Sequence, residues 1–404
     1  MNKNFTAIAY VTSRALCVPF WGLFYLLPII LYKDLGATPF QLMLLYTFKH
    51  SASLLSPYWS HRVHEIRSRL QSNLIWANTL KFSPFLFFPF IENSWFYIGA
   101  FGLHMALCRG TIPAWMEILK LNIPARSRGK VCALGSTIDF LGVALLPFLF
   151  GGILDNMTGY WKWLFPLAAL LGILSSIPIQ RIRLALPEND EKAQKKHHPL
   201  LSPWKTGFSL LKEKKDFSRF QLGFFFGGAG LMIIQPALPK YFVDTLQLSY
   251  SELLTAFAAL KGIGFALSSP LWVKSFNRSR LFSVCAMVTL CAATFPLMLM
   301  AAKSSPSIVF IAYLLYGIME GGSELTWKMS GPLFSGDRNS APYTTTNVLA
   351  VGVRGLIFPL LGSLLFTHTG SPPLVFLAGA TLCLLGTLTM VRSRNPYPIK
   401  SPMS

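Results

Sequence analysis

Twelve stretches of about 18–26 residues, each dominated by apolar side chains, run the length of this chain with only short polar breaks between them. They fall at roughly 5–31, 38–59, 70–91, 95–118, 129–153, 160–180, 217–242, 249–272, 279–302, 307–330, 340–366 and 372–391. A helix of that length crosses a hydrocarbon core of roughly 30 Å. Lipid admits no exposed irregular backbone, because nothing there satisfies a free N–H or C=O. The pattern therefore predicts an all-α polytopic membrane protein with 12 transmembrane helices. Composition agrees: of 404 residues, 52% are hydrophobic and 13% charged, too few polar side chains to clothe a soluble domain of this size.

The net charge of +20 raises the question of a nucleic-acid partner, and its placement answers it. With the N-terminus inside, the cytoplasmic segments are 1–4, 60–69, 119–130, 181–216, 273–280, 331–339 and 392–404. Together with the adjacent Arg219 they hold 25 of the 36 Lys and Arg, whereas the opposite loops hold only Lys33, Lys162, Lys240 and Lys303. That asymmetry is the positive-inside signal; it predicts both termini in the cytoplasm of a bacterial-type inner membrane. No long basic arm with interleaved aromatics exists, so no nucleic-acid partner is expected. The basic loops suit anionic lipid headgroups.

Six cysteines (Cys17, Cys108, Cys132, Cys285, Cys291, Cys383) lie in apolar spans without CxxC spacing, which supports neither a disulfide framework nor a metal site. No cofactor is expected. Only Lys3 precedes the first long span and no small-residue cleavage site follows it, so that span reads as retained. The seven histidines are scattered, with His197 and His198 adjacent in a polar linker. They form no nucleophile–base set, and the chain does not read as an enzyme.

One unusual string occurs twice. SPYW at 56–59 leads to RSR at 67–69, and SPLW at 269–272 leads to RSR at 278–280. Lys49 precedes the first copy and Lys261 the second. RGTIPAW at 109–115 answers EGGSELTW at 320–327, and Gly142, Pro147 and Gly151 answer Gly352, Pro359 and Gly362. Six spans separate the copies, an even number, so both halves run the same way through the membrane. The expected architecture is two parallel six-helix repeats. Residues 1–180 form the N-terminal half, 181–216 a basic linker, and 217–404 the C-terminal half with a short tail.

This plan resembles the major facilitator superfamily of secondary transporters over essentially the whole chain. The resemblance rests on the six-plus-six arrangement, the basic loop between spans 2 and 3, and NIPARSRGKV before span 5. Pro147 with Gly151 and Gly152 late in span 5, and the long loop between halves, add to it. The family loop usually reads G-x-x-x-D-R-x-G-R-R. Here Arg62 is kept, His61 replaces the Asp, and Pro57 and His64 stand at the glycine positions. Arg109 sits in span 4, where the family often has Arg, without the Gln-Gly that follows there. LPFLFGG only approximates the antiporter-type G-P-x-x-G-G. The resemblance implies a carrier that binds a small solute between its halves and works by alternating access as a symporter or antiporter, as a monomer.

Pro57 and Pro270 lack a backbone donor and can bend the ends of spans 2 and 8. Trp59 and Trp272 then either sit at headgroup depth as interfacial anchors or, with Arg62, form an inner gate such as the resemblance implies.

Charges inside spans are the residues for chemistry. Each costs about 2.5–3.5 kcal/mol at a helix centre on insertion scales. The candidates for binding are Arg14, Lys49, Arg109, Lys261 and Arg354. Those for proton coupling are Asp139, Glu320 and Glu324. Lys81, on span 3, reads as a pairing residue rather than a ligand. Glu117 and Lys328 lie near inner span ends, where their side chains can snorkel. Glu320, Glu324 and Lys328 share one helix face, as an ion-pair ladder or as a site. Arg109 is placed to pair with Glu320, its repeat-mate, or with Asp139. Cations exceed acids among these positions, so the expected cargo is an organic or phosphate-bearing anion, with an acid coupling its movement to protons. The alternatives are a neutral or amphiphilic cargo (drug or lipid efflux) and a transport-inactive receptor. LLSPWKTGFSLLKEKK in the linker predicts an amphipathic helix on the inner leaflet, Leu and Phe toward lipid.

Overall fold

Backbone in hydrocarbon has to satisfy its own hydrogen bonds, and the chain does so with helices throughout. The structure, a computed structural model, describes residues 3–59, 69–157, 159–184, 201–276, 280–335 and 340–393, and no strand occurs among them. The first six spans are α1 (Lys3–Lys33), α2 (Pro39–Ser51), α3 (Leu70–Phe82), α4 (Ser94–Asn122), α5 (Lys130–Asn156) and α6 (Trp161–Gln180). After α7 (Ser202–Glu213) come α8 (Lys215–Thr245), α9 (Tyr250–Ser275), α10 (Leu281–Ala301), α11 (Ile308–Ser335), α12 (Ala341–Thr369) and α13 (Pro372–Arg392). Among the described residues nine of these, α1, α5, α6 and α8 to α13, are long and apolar enough to cross a membrane.

The other three expected spans are helical but built differently. A 3₁₀ turn at Ala52–Leu55 carries α2 on into helical residues 56–59. α3 tightens into a 3₁₀ stretch at Ser83–Phe90, which holds Pro84 and Pro89. Neither proline can donate to the ladder, which favours the change of pitch. α4 runs 29 residues with His104, Arg109, Glu117 and Lys120 along it.

The chain forms two compact units: residues 1–200 with 247–259, and residues 201–246 with 260–404. In the first, aromatic rings fill the space between α1, α3, α4 and α6. Phe24 stacks on Phe101 with centroids 4.2 Å apart, and Phe20 meets Phe82 and Phe85 edge-on at 4.8 and 4.6 Å. Each such pair is worth about 0.5–1.5 kcal/mol beyond its buried area. Lipid is as apolar as these side chains, so shape and dispersion rather than expulsion of water hold the helices together. A second cluster gathers Tyr10, Leu70, Leu74, Trp115, Ile118 and Ile179.

In the second unit close backbone approach does the same work. α8 lies on α13 with Gly230 against the Gly379 carbonyl and Gly223 beside the Gly386 carbonyl; a Cβ at either would overlap the neighbouring chain. α11 meets α9 where Gly317 lies on the Lys261 carbonyl. The linker helix α7 is amphipathic as the sequence predicts, but its faces are divided differently. Leu210 and Leu211 pack inward against the cluster of Phe217, Phe220 and Tyr343, and Gly207 faces Thr346. Only Phe208 and Leu201 point outward, beside exposed Lys205 and Lys212. The inner face covers the bundle, so the outward apolar stripe is the narrower one. The rest of the expected linker, 185–200, lies outside the described residues.

Candidate functional site

In the first unit Arg14 donates through Nη2 to Asp139 Oδ2, joining α1 to α5. The Tyr10 ring centroid lies 6.0 Å from the Arg14 guanidinium carbon. This pairing gives Asp139, one of the two partners the sequence offered Arg109, to Arg14 instead. The reason is helix rotation: Gly135 and Gly142, on the same stripe of α5 as Asp139, seat against Tyr10 and Val18 of α1. That stripe turns the carboxylate to α1.

Arg109, on α4, is half-buried, and its Nε is enclosed without a hydrogen-bond partner. It makes no ion pair among the described residues, neither with Asp139 nor with Glu320. Tyr25 of α1 lies within electrostatic range of it. The same tyrosine ring is 5.9 Å from Lys49 Nζ on α2. Arg109, Tyr25 and Lys49 therefore share one neighbourhood. Lys81, expected to pair, is buried with its Nζ 4.8 Å from the Phe82 ring and forms no ion pair among the described residues. Its carbonyl meets Nδ1 of the fully buried His104 at 3.1 Å, inside the box of Phe20, Phe24, Phe82 and Phe85.

In the second unit Lys261 Nζ approaches Glu320 Oε2 at 3.1 Å across the α9–α11 contact. That oxygen is enclosed and makes no aligned hydrogen bond, so the contact is an ion pair rather than a directed bond. Lys261 Nζ is also 5.4 Å from the Tyr316 ring. Glu324 pairs with Lys328 at 2.5 Å one turn along α11. The three-residue ladder expected on that face is thus divided, because Gly317 brings α9 close enough for Lys261 to take Glu320 first.

Arg354, on α12, donates from Nη1 to the Phe224 carbonyl at 2.8 Å, and its guanidinium lies on Gly228. Its Nε is enclosed without a partner, and it forms no ion pair among the described residues. Phe224 and Gly228 lie in FFFGGAG at 224–230, a stretch whose sequence reads as helix packing or as lining of a cavity; their spacing of four puts them on one face of α8, and what sequence reasoning missed is that this face receives Arg354.

The four residues drawn from the SPxW strings divide between the units. Trp272 is 7% exposed, donates Nε1–H to the Ile318 carbonyl at 2.8 Å and covers Gly321 and Gly322. It packs as a core residue between α9 and α11, because two glycines leave a slot of its size. Pro270 lies inside α9, where Ser269 Oγ donates to the Phe265 carbonyl at 2.7 Å. Trp59 packs on the Tyr10–Trp115 cluster, and Pro57 lies in the helical turn before it. Arg62 lies outside the described residues. Among the described residues no group of three or more His, Cys, Asp or Glu is arranged to hold a metal.

Residues 10–335 match the sequence profile of the Major Facilitator Superfamily. No curated protein matches the chain by sequence. Solved structures do match by fold. The nucleoside transporter NupG superposes with a TM-score of 0.71 at 11% identity, over 98% of this chain and 100% of that one. A point mutant of the same transporter gives 0.72 at 10%, over 96% and 100%. A bacterial homologue of the human lysosomal transporter Spinster, inward-facing and unoccupied, gives 0.63 at 13%, over 98% and 99%.

Proposed function

Because the chain belongs to the Major Facilitator Superfamily and is a secondary transporter rather than an enzyme, we propose that its cargo is a small organic or phosphate-bearing anion, moved with protons. One observation carries this reading. The interior acids are already matched, Asp139 by Arg14, Glu320 by Lys261 and Glu324 by Lys328, while Arg109 and Arg354 each enclose an unpartnered Nε and lack an ion pair among the described residues. Guanidinium cannot shed its charge by deprotonating, so in a low-dielectric setting it calls for an anion. Its planar fork suits the two oxygens of a carboxylate or phosphate.

The duplication supports the same reading. Glu320 and Lys261 of the C-terminal half stand at the repeat positions of Arg109 and Lys49. Where one half has an acid facing a lysine, the other has a second cation. A cargo anion near Arg109 takes the role that the Glu320 carboxylate plays in the other repeat. Coupling follows from the chemistry of the two pairs. Asp139 faces a guanidinium, which keeps its proton, whereas Glu320 faces an amine, which can give one up. The lysine-held pairs Lys261–Glu320 and Lys328–Glu324 can pass through a neutral state where Arg14–Asp139 cannot, and the less exposed of the two, Lys261–Glu320, is the proton-handling pair in this proposal. The likeness to the nucleoside transporter, at 10–11% identity, is a likeness of fold, and its cargo does not transfer.

The proposed setting follows the loop charges: two six-helix halves, both termini cytoplasmic, and one copy sufficient for transport. Thermal unfolding of the purified protein against carboxylates, sugar phosphates, neutral sugars, nucleosides and cationic dyes tests the cargo class. Anions should protect the wild type and lose that effect in Arg109→Gln. Protection by neutral or cationic compounds alone overturns the reading.

A further inference from the structure

Two rings of α1 stand beside the cations of the first unit. Tyr25 is 37% exposed, although it lies well inside the span Phe5–Lys33 and so is no headgroup-depth anchor. Lys49 Nζ lies 5.9 Å from its ring centroid, and Arg109 is within electrostatic range of it. Cations inside a span are costly against acyl chains, so the exposed ring beside them opens on water or on a polar ligand. Trp21, one turn back on the same face of α1, is half-buried and lies 6.0 Å from the Tyr25 ring, tilted by 35°. Its indole N–H makes no hydrogen bond among the described residues, whereas an interior indole usually finds an acceptor. Two rings, two cations and a spare donor therefore meet at one place.

The rings are firmly backed. Trp21 meets Phe24 and His104 edge-on at 5.4 Å each, and Phe20, Phe82 and Phe85 close the box behind them. Gly22 sets the rotation of α1, since a Cβ there would overlap the Leu146 side chain. Rings held in place in advance take a flat partner at little cost in ordering. The second unit shows the same grouping completed by the protein's own side chains. There Lys261 Nζ lies 5.4 Å from the Tyr316 ring and 3.1 Å from the Glu320 carboxylate, so one lysine holds an aromatic ring and an acid together. Lys49 is the repeat-mate of Lys261, and Arg109 that of Glu320. In the first unit the tyrosine and the lysine recur, and a cation stands at the position of the acid.

We propose that the cargo, given the anion reading above on which this rests, is an aryl carboxylate: a planar aromatic ring bonded directly, or through one or two atoms, to its carboxylate. The carboxylate sits on the Arg109 guanidinium, with the Trp21 N–H as a further donor, and the ring lies against Tyr25. Both cations flank the Tyr25 ring itself, so charge and ring are close together in the cargo. A nucleoside monophosphate, whose base and phosphate are separated by a sugar, fits this spacing less well.

The test is thermal protection of the purified full-length protein, titrated with benzoate and with cyclohexanecarboxylate. The two acids share charge and ring size and differ in flatness, so the first comparison needs no substitution. Benzoate should protect at about fivefold lower concentration, the size of one aromatic pair. Tyr25→Leu should erase that preference, Tyr25→Phe, which keeps the ring, should retain it, and Arg109→Gln should lose protection by both acids. Equal protection by the two acids in the wild type, or a preference that survives Tyr25→Leu, overturns the aryl assignment and leaves the anion reading standing. Protection by adenosine monophosphate and not by benzoate also overturns it, and moves the cargo to the nucleotides. Protection by no anion at all removes the anion reading and this inference with it.

Discussion

Removing Glu320 or Lys261 singly should cost more than removing both. Lys261 Nζ and Glu320 Oε2 lie 3.1 Å apart, with 18% and 31% of their side chains exposed. At an effective dielectric of about 20, two unit charges at that distance attract by about 5 kcal/mol. Desolvation of two half-buried ions offsets much of this, leaving a net coupling of about 2 kcal/mol, or about a factor of 30. Glu320→Gln and Lys261→Met should therefore each destabilise by about 1–1.5 kcal/mol, because each leaves the other, partly exposed charge stranded. The double variant, with no charge left stranded, should lose less than either single variant. The assay is a double-mutant cycle on unfolding in mixed micelles, followed by tryptophan fluorescence. Additivity of the two single changes to within about 0.5 kcal/mol refutes the pairing. The double variant also separates stability from coupling: it should fold well and carry its cargo without responding to a pH gradient.

Three further outcomes follow from particular contacts. Gly228→Ala puts a methyl where the Arg354 guanidinium rests, so it should displace that side chain and weaken anion protection at least as much as Arg354→Lys; titrated thermal protection measures both. Gly317→Ala forces α11 off the Lys261 carbonyl and should cost about 1–3 kcal/mol while loosening the Lys261–Glu320 pair, seen as a reduced coupling energy in the cycle above. Glu92, in the loop between α3 and α4, is held below the ordinary carboxylate range by the hydrogen bond from Lys162 and then by its charge. A lowered acid stabilises the fold above its unfolded-state value, near 4.3, and loses that contribution as pH falls through the folded-state value. The thermal midpoint of Glu92→Gln should thus fall below wild type at pH 6 and converge with it below about pH 4.

The fold was legible because membrane insertion leaves so few choices. Apolar length alone marked the helices, and the doubled SPxW strings with their Lys49 and Lys261 marked the repeat. Which charges meet was not legible in the same way. Arg14 and Asp139 are 125 residues apart, and no periodicity in either helix says how α5 is turned toward α1. Glycines decide that: Gly135 and Gly142 for α5, Gly317 for α11, Gly321 and Gly322 for the slot that takes Trp272. Each reads in the sequence as generic close packing. For Trp272 the sequence left an anchor and a gate both open for the same reason, since an amphipathic ring at a span end fits either until the opposing surface is known.

The most direct test of the account is flux. Purified protein reconstituted in liposomes, with an imposed pH gradient, is offered labelled organic acids, sugar phosphates, amino acids, neutral nucleosides and cationic dyes, alongside Arg109→Gln and Glu320→Gln. The account predicts gradient-driven uptake of an anion, lost in Arg109→Gln and uncoupled from the gradient in Glu320→Gln. Uptake of a neutral or cationic compound that ignores both substitutions contradicts it, and reduces Arg109 and Glu320 to parts of the scaffold.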